Sequence, residues 1–284
     1  MNCEEFIEQV KRVDSLTPTE KVIANYFVNH FTMLPYAKVE ELCEQMGIGK
    51  ATLGRFLNHL GYTGFIEFKR KVSEDLVVDL ATPIDRIKEY NEPDSKDSLL
   101  EEHQQEIKIN LESTYKLLSQ ADFNTAVQYL QNNEGKLYVI GSASAEALAN
   151  YFYLLARYLR KEVKLLHADT STLPHQLVDV DKKDTLLTIS YHRFSSTTVQ
   201  CTRWFDKHGG KIIAITDQPV NPFVSYADVL FTVDSQSKSI FNNRTSGLFL
   251  IEALIKGMSS EINSEDRFSR IESTFNEFNI FKNN

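Results

Sequence analysis

A chain of 284 residues has room for two domains, each with its own core. Its 42% hydrophobic and 25% charged residues are ordinary for a soluble globular protein, and the formal net charge of −8 argues against broad phosphate contact over the whole surface. No apolar run approaches the ~20 residues of a membrane span, and the N-terminus MNCEEFIEQVKRV lacks the basic start and apolar core of a secretion signal.

Cys3, Cys43 and Cys201 are scattered, with no CxxC pair and no His at metal-ligand spacing. Reduced thiols in a cytoplasmic protein are therefore expected, with no metal, no cofactor and no membrane partner.

In chain order, residues 1–77 read as helical throughout, with helices over Asn2–Val13, Thr17–His30, Val39–Met46, Lys50–Leu60 and Gly64–Val77. Thr17-Pro18-Thr19-Glu20 supplies an N-cap, a proline at the first helical position and a glutamate at the third. Pro35 breaks the chain before the third helix.

The third and fourth helices, joined at Gly47, read as a helix-turn-helix. In the fourth, Leu53, Phe56, Leu57 and Leu60 recur at the i, i+3, i+4, i+7 spacing of one buried face. Successive residues lie 100° apart, which places Ala51, Arg55 and Asn58 opposite that face, with Thr52 and His59 on its flanks. Lys50 opens the helix and adds a basic residue. Arg suits bidentate contact with guanine and Asn with adenine, while a Thr methyl meets thymine. Lys50, Ala51, Thr52, Arg55, Asn58 and His59 are the candidate DNA-binding residues. The same spacing also fits any amphipathic helical hairpin with a solvated outer face. Gly54, inside the helix, costs ~1 kcal/mol relative to Ala, or allows close approach of a DNA backbone.

Residues 78–104 form the expected linker, with Pro83, Pro93 and the polar run NEPDSKDS, although Leu99–Leu118 reads as helical. From residue 105 to 262 the chain turns to short apolar strands, KLYVIG, VKLLHA, TLLTIS, KIIAIT and VLFTV. These alternate with helices at Glu146–Leu159, Ser196–His208 and Thr245–Met258. That pattern predicts an α/β domain with a five-stranded parallel sheet covered by helices on both faces, and a ligand site beyond the carboxyl ends of the strands. A tail at 263–284, with Phe268, Ile271, Phe275, Phe278 and Phe281, reads as a helix packing on its own domain or on a partner subunit.

Two loops stand at that edge. Gly141-Ser142-Ala143-Ser144-Ala145 follows the first strand; its small residues and helix N-terminal amides suit an anion, with Ser142 and Ser144 as donors. Ser190-Tyr191-His192-Arg193-Phe194-Ser195 follows the third, with Arg193 as a fixed charge and His192 beside it. Each loop equally fits an ordinary helix cap.

The segments LTPTEKVIANYFVNH, VEELCEQMGIGKATLGRFLNHLG and YTGFIEFK resemble the RpiR family of bacterial transcriptional regulators, and the second half resembles the sugar isomerase (SIS) domain those regulators carry, on its strand pattern, GSASAEALA and AITDQPVNPFVSYAD. The resemblance covers roughly residues 1–77 and 105–260. It implies an α + α/β protein, a homodimer or homotetramer on an inverted-repeat double-stranded DNA operator, and a phosphosugar effector in the SIS domain. Thr52 and Arg55 would then lie at the DNA, and Ser142, Ser144, Ser190 and Ser195 at the phosphosugar.

Departures from the family pattern fall at both ends. Gly49 replaces the usual Ser cap of the recognition helix, and Asn58 and His59 stand where basic residues are common. The usual S-x-S-G-x-T/S phosphate loop carries His192 for Ser and Arg193 for Gly. Two alternatives remain: an SIS enzyme, such as a phosphosugar isomerase or etherase, with His192 and Glu252 as acid and base, or a regulator whose SIS domain only dimerises.

Overall fold

The computed structural model describes residues 1, 3–13, 15–31, 34, 37, 39–76, 84, 86–87, 98–167, 171–219, 221–260 and 265–280. The chain divides into two compact units, Met1–Lys88 with Val220–Ser225, and Glu89–Pro219 with Tyr226–Asn284. Pro35 and most of the expected linker, including residues 91–97 of NEPDSKDS, lie outside the described residues, as does Phe281.

The first unit holds five helices among its described residues: α1 (Cys3–Lys11), α2 (Pro18–Asn29), α3 (Val39–Met46), α4 (Lys50–His59) and α5 (Phe65–Leu76). Its core is aromatic. Phe6, Phe27, Phe56 and Phe68 are fully buried, and Phe27 makes ring contacts with each of the other three at 5.2–6.0 Å. The predicted cap of α2 forms as a reciprocal box: the Glu20 amide donates to Thr17 Oγ1, and the Thr17 amide donates to the Glu20 carboxylate at 2.8 Å. The turn between α3 and α4 is closed by the Gly47 amide on Glu44 O at 3.1 Å and the Ile48 amide on Cys43 O at 2.9 Å. Those two bonds make a Schellman motif, which needs a left-handed residue at its centre; Gly47 supplies φ +64°.

The second unit runs α6 (Leu99–Leu117), α7 (Gln120–Gln131), β1 (Leu137–Gly141), α8 (Ser144–Leu159), β2 (Val163–Leu166), α9 (Leu173–Leu177), β3 (Thr185–Ile189), α10 (Ser196–Lys207), β4 (Lys211–Thr216), β5 (Val229–Thr232), α11 (Thr245–Ser259) and α12 (Glu265–Glu277). All five strands are parallel, in the order β2-β1-β3-β4-β5. Each strand sends alternate residues to opposite faces. Leu137, Val139, Leu187, Ile189, Ile213 and Ile215 pack with α7, α8 and α11 on one side. Tyr138, Ile140, Leu186 and Ile212 pack with α9 and α10 on the other. Both faces of the central strands β1, β3 and β4 are thus buried, which is why these strands read as near-continuous apolar runs, while the edge strands β2 and β5 are only partly covered.

Two helices of this unit are absent from the sequence reading. Helix α7 is capped by Ser119, whose hydroxyl accepts from the Asp122 amide. Its Phe123, Ala126, Val127 and Leu130 keep the i, i+3, i+4, i+7 spacing, so the signal was present in the residues. Helix α9 has five residues, too few for a period to register. Arg160, 3% exposed, ties the end of α7 to the approach of β1 by donating to Leu130 O at 2.8 Å and Gly135 O at 2.6 Å. Burial lowers its pKa to about 10. The tail helix α12 packs on α8, with Arg267 donating to Arg157 O at 2.6 and 2.8 Å and the Phe268 ring 5.7 Å from Tyr158. Among the described residues no helix is long and apolar enough to cross a membrane.

Candidate functional site

Helix α4 has the two-faced build its spacing predicts. Leu53, Phe56 and Leu57 are at most 1% exposed. Lys50, Ala51, Arg55, Asn58 and His59 are exposed and Thr52 is half-buried. On the outer face Arg55 Nη2 donates to Thr52 Oγ1 at 3.2 Å, so a hydroxyl one turn earlier orients the guanidinium. Two of the six candidates are also engaged by carboxylates of neighbouring helices. Lys50 pairs with Glu40 of α3, and His59 Nδ1 lies 3.1 Å from Glu20 of α2. The Glu20 carboxyl is held below its ordinary value, first by the Thr17 amide and then, against desolvation, by His59. Gly49 caps α4 with no side-chain bond, and a Cβ at Gly54 would meet open space, so no contact within the unit requires that glycine.

In the second unit the strand order reverses between β1 and β3, because β2 lies beyond β1 on one side while β3 to β5 continue on the other. The crevice at such a switch point, outside the carboxyl ends of the strands, is where open α/β sheets take ligands. The two loops singled out by sequence leave from these two strands. Ser142 Oγ lies 2.7 Å from Thr198 Oγ1 on α10, a hydrogen bond across the crevice. Ala143, at the N-cap of α8, has φ 53° and ψ −130°, a costly backbone for a non-glycine residue. Ser144 is exposed at the first position of α8, and Ser190 is 3% exposed with its amide on Ile215 O at 3.0 Å. Ser195 is the N-cap of α10 and makes no side-chain cap bond.

His192 and Arg193 are neighbours in sequence with different surroundings. Arg193 is exposed and makes no ion pair among the described residues. His192 turns toward a buried carboxylate that sequence reading missed, Asp217, directly after β4. Asp217 accepts from the His192 amide at 2.6 Å and from Ser235 Oγ at 2.6 Å, while His192 Nδ1 lies 3.5 Å from its second oxygen. Burial pushes this carboxyl up, but the hydrogen bonds of His192 and Ser235 and the charges of His192 and Arg244 outweigh it, and the pKa falls below the ordinary 3.8. Asn242 Nδ2 reaches Ser235 Oγ at 3.2 Å and His192 Nδ1 at 3.4 Å.

Arg244 completes this network. Its Nε donates to Ser144 Oγ at 3.2 Å, its Nη1 stands 3.8 Å from Asp217, and its guanidinium lies 4.0 Å over the Tyr191 ring. Close approach at Gly247 makes room for that ring, since a Cβ there would fall 1.9 Å from the Tyr191 hydroxyl. A sequence signal for Arg244 did exist: a cation just before an apolar helix sits against the positive end of the helix dipole, which calls for compensation. Glu252, the proposed catalytic partner of His192, is exposed on α11 and accepts from Tyr151 Oη at 3.1 Å. It lies eight residues along from Arg244, about 12 Å of helical rise.

Comparison with known proteins agrees with this architecture. Residues 1–78 match the model of the helix-turn-helix domain, rpiR family, and residues 125–257 match that of the SIS domain. An HTH-type transcriptional regulator of Clostridium perfringens is 23% identical over 91% of this chain and 93% of its own length. Another from Haemophilus influenzae is 25% identical over 79% of this chain and 78% of its own. Among solved structures, the NanR protein of Vibrio vulnificus complexed with ManNAc-6P aligns over 99% of this chain and all of its own at 13% identity, with a TM-score of 0.57. The sugar isomerase domain of an RpiR transcription factor from Sphaerobacter thermophilus aligns over 63% of this chain and 99% of its own, at 18% identity and a TM-score of 0.57. At these identities the structural likeness speaks for the fold.

Proposed function

For a chain that belongs to the RpiR family of helix-turn-helix transcriptional regulators and carries a SIS domain behind its DNA-binding domain, we propose that a phosphorylated sugar bound at the β1/β3 crevice controls affinity for a DNA operator. The genes under control would serve sugar or amino-sugar metabolism. The observation that carries the reading is the pairing of two features within one chain. Helix α4 presents Thr52, Arg55 and Asn58 outward on a buried Leu53–Phe56–Leu57 stripe. The second unit places Ser142, Ser144, Ser190 and Ser195 in the segments that follow β1 and β3, at the switch point of the strand order where such sheets take ligands.

An inverted-repeat operator follows from a homodimer or homotetramer, since each subunit brings one reading helix and two-fold protein symmetry imposes two-fold symmetry on the site. Arg55 is the guanine reader, steadied by Thr52. A good bidentate pair is worth ~1–3 kcal/mol, so Arg55→Ala lowers specific affinity by roughly 5- to 150-fold with the fold intact.

The test is selection of bound sequences from random duplex DNA, followed by fluorescence-anisotropy titration of the selected site with and without sugar phosphates. ManNAc-6P, the ligand of the NanR neighbour, is the first to try. Enrichment of a two-fold symmetric site, loss of it in Arg55→Ala and a shift in operator affinity with at least one sugar phosphate are expected. Enrichment of no sequence refutes operator recognition, and affinity unmoved by every sugar phosphate refutes effector control.

A second reading has one observation in its favour, the His192–Asp217 pair, which suits acid–base work on a sugar. Turnover of a hexose or amino-sugar phosphate in a product screen would establish it; the regulatory reading expects none.

A further inference from the structure

Helix α12 builds a second cavity in this unit, at the end of α8 away from the β1/β3 crevice. Phe268, Ile271 and Phe275 recur along α12 at the i, i+3, i+7 spacing of one helical face. Phe268 meets Tyr158 of α8, and Nε and Nη2 of Arg267 both close on Arg157 O, about 20 Å of helical rise from Ser144. Between the two helices lies an open cleft of about 660 Å³, the size of a small-molecule site.

Its charge is one-sided. Arg157, Lys161, Arg267 and Arg270 line it against one carboxylate, Asp266, in a chain whose net charge is −8. None of the four makes an ion pair among the described residues; Arg267 is spent on a carbonyl, and Arg157 lies 5.2 Å over the Tyr153 ring. Compensating the α8 dipole calls for one cation near the helix end, which Arg157 supplies, and gives no reason for the other three. Like charges gathered without a counter-charge repel, and their attraction for a polyanion adds over the set. Three of them are arginines, whose planar forks suit phosphate oxygens.

Beside the cations the wall is apolar. Phe278 is 72% exposed and Ile280 is 56% exposed, so an aromatic ring stands open next to the guanidinium groups. An inorganic polyanion would use only the charged half of this cleft, and a fatty acid little beyond the apolar half. A ligand with several phosphates and a flat aromatic body uses both.

We propose that the cleft between the end of α8 and α12 is a second ligand site, which takes a free nucleoside polyphosphate with its phosphates on Arg157, Lys161 and Arg270 and its base against Phe278. The assignment stands apart from the effector reading, since it uses no residue of the β1/β3 crevice.

Calorimetric titration of the full chain with ATP and GTP tests it, beside adenosine, inorganic tripolyphosphate and a short single-stranded oligonucleotide. Binding of at least one nucleotide, tighter than adenosine or tripolyphosphate, is expected. Arg270→Gln should weaken it by about 10- to 150-fold, the range for one charge-assisted hydrogen-bonding partner. Phe278→Ala should weaken it by about 5- to 150-fold through lost stacking and leave tripolyphosphate affinity where it was. Both side chains are exposed, so both variants are expected to fold. Lys116→Gln, which removes one exposed charge from α6, controls for net charge and should stay within about twofold. Uptake of no nucleotide, or undiminished nucleotide binding in either folded variant, overturns the assignment. Tripolyphosphate bound as tightly as the nucleotide shows polyanion attraction without a base site and overturns it too. So does an oligonucleotide bound where free nucleotides are not, or self-association that Phe278→Ala abolishes in a chain taking up no nucleotide. Each of these failures leaves the phosphosugar reading standing.

Discussion

Asp217 shows how one buried charge is kept in an α/β sheet edge. An isolated carboxylate there would take up a proton, because desolvation disfavours the charged form. The His192 amide, the Ser235 hydroxyl and two nearby cationic side chains reverse that balance and hold the pKa below the ordinary 3.8. A depressed folded pKa means stability that is present above the unfolded value and lost as pH falls through the folded one. Asp217→Asn is therefore expected to destabilise the second unit at pH 7, with the deficit shrinking as the pH drops below 3.8. Trp204, the chain's one tryptophan, sits on α10 in this unit with its Nε1 on Leu177 O at 2.9 Å, so its fluorescence reports this unit's unfolding in urea. A deficit that stays constant across that pH range would show that the charge of Asp217 contributes nothing.

Among the elements, the join between α7 and β1 depends on a side chain rather than on backbone pairing. Arg160 reaches back from the end of α8 and satisfies the carbonyls of Leu130 and Gly135, both otherwise left at element ends. An unpaired buried carbonyl costs ~1–3 kcal/mol, and the guanidinium's volume would leave a cavity as well. Arg160→Ala should lower the stability of the second unit by about 2–4 kcal/mol, read as a shift of the Trp204 urea transition without loss of secondary structure before it. A midpoint unchanged from the parent would mean that water replaces the guanidinium at no cost.

For the molecule as a DNA-binding protein, the balance of charge sets how far it holds on without reading sequence. The net charge is −8, and two of the basic candidates on α4 are already paired, Lys50 with Glu40 and His59 with Glu20. Each phosphate neutralised contributes about −0.9 to the slope of log K against log salt, so the slope for this chain should be shallow. Glu40→Gln releases Lys50 and should raise affinity for non-specific duplex DNA, steepening the slope by ~0.9 if one new phosphate contact forms. Equal slopes for variant and parent, measured by anisotropy between low and moderate salt, would place Lys50 away from the DNA backbone.

Periodicity made much of this architecture readable before any coordinates. The Leu53–Phe56–Leu57 stripe, the reciprocal cap at Thr17 and Glu20, the left-handed turn at Gly47 and the five parallel strands are local consequences of local residues, and each stands where the spacing put it. Helix α7 was equally readable at Phe123, Ala126, Val127 and Leu130, whereas α9 is too short to show a period. The proposed ligand site was legible only in part. Ser142, Ser144, Ser190 and Ser195 follow strands β1 and β3 and could be found by their position in the chain. Asp217, Ser235, Asn242 and Arg244 lie 25 to 52 residues beyond His192, a separation that no pattern along the chain spans, and only the parallel order β1-β3-β4-β5 brings their loops to one edge. Sequence determines which residues line each element, because burial repeats with the period of the backbone; the tertiary structure alone decides which charges meet, because that depends on strand order.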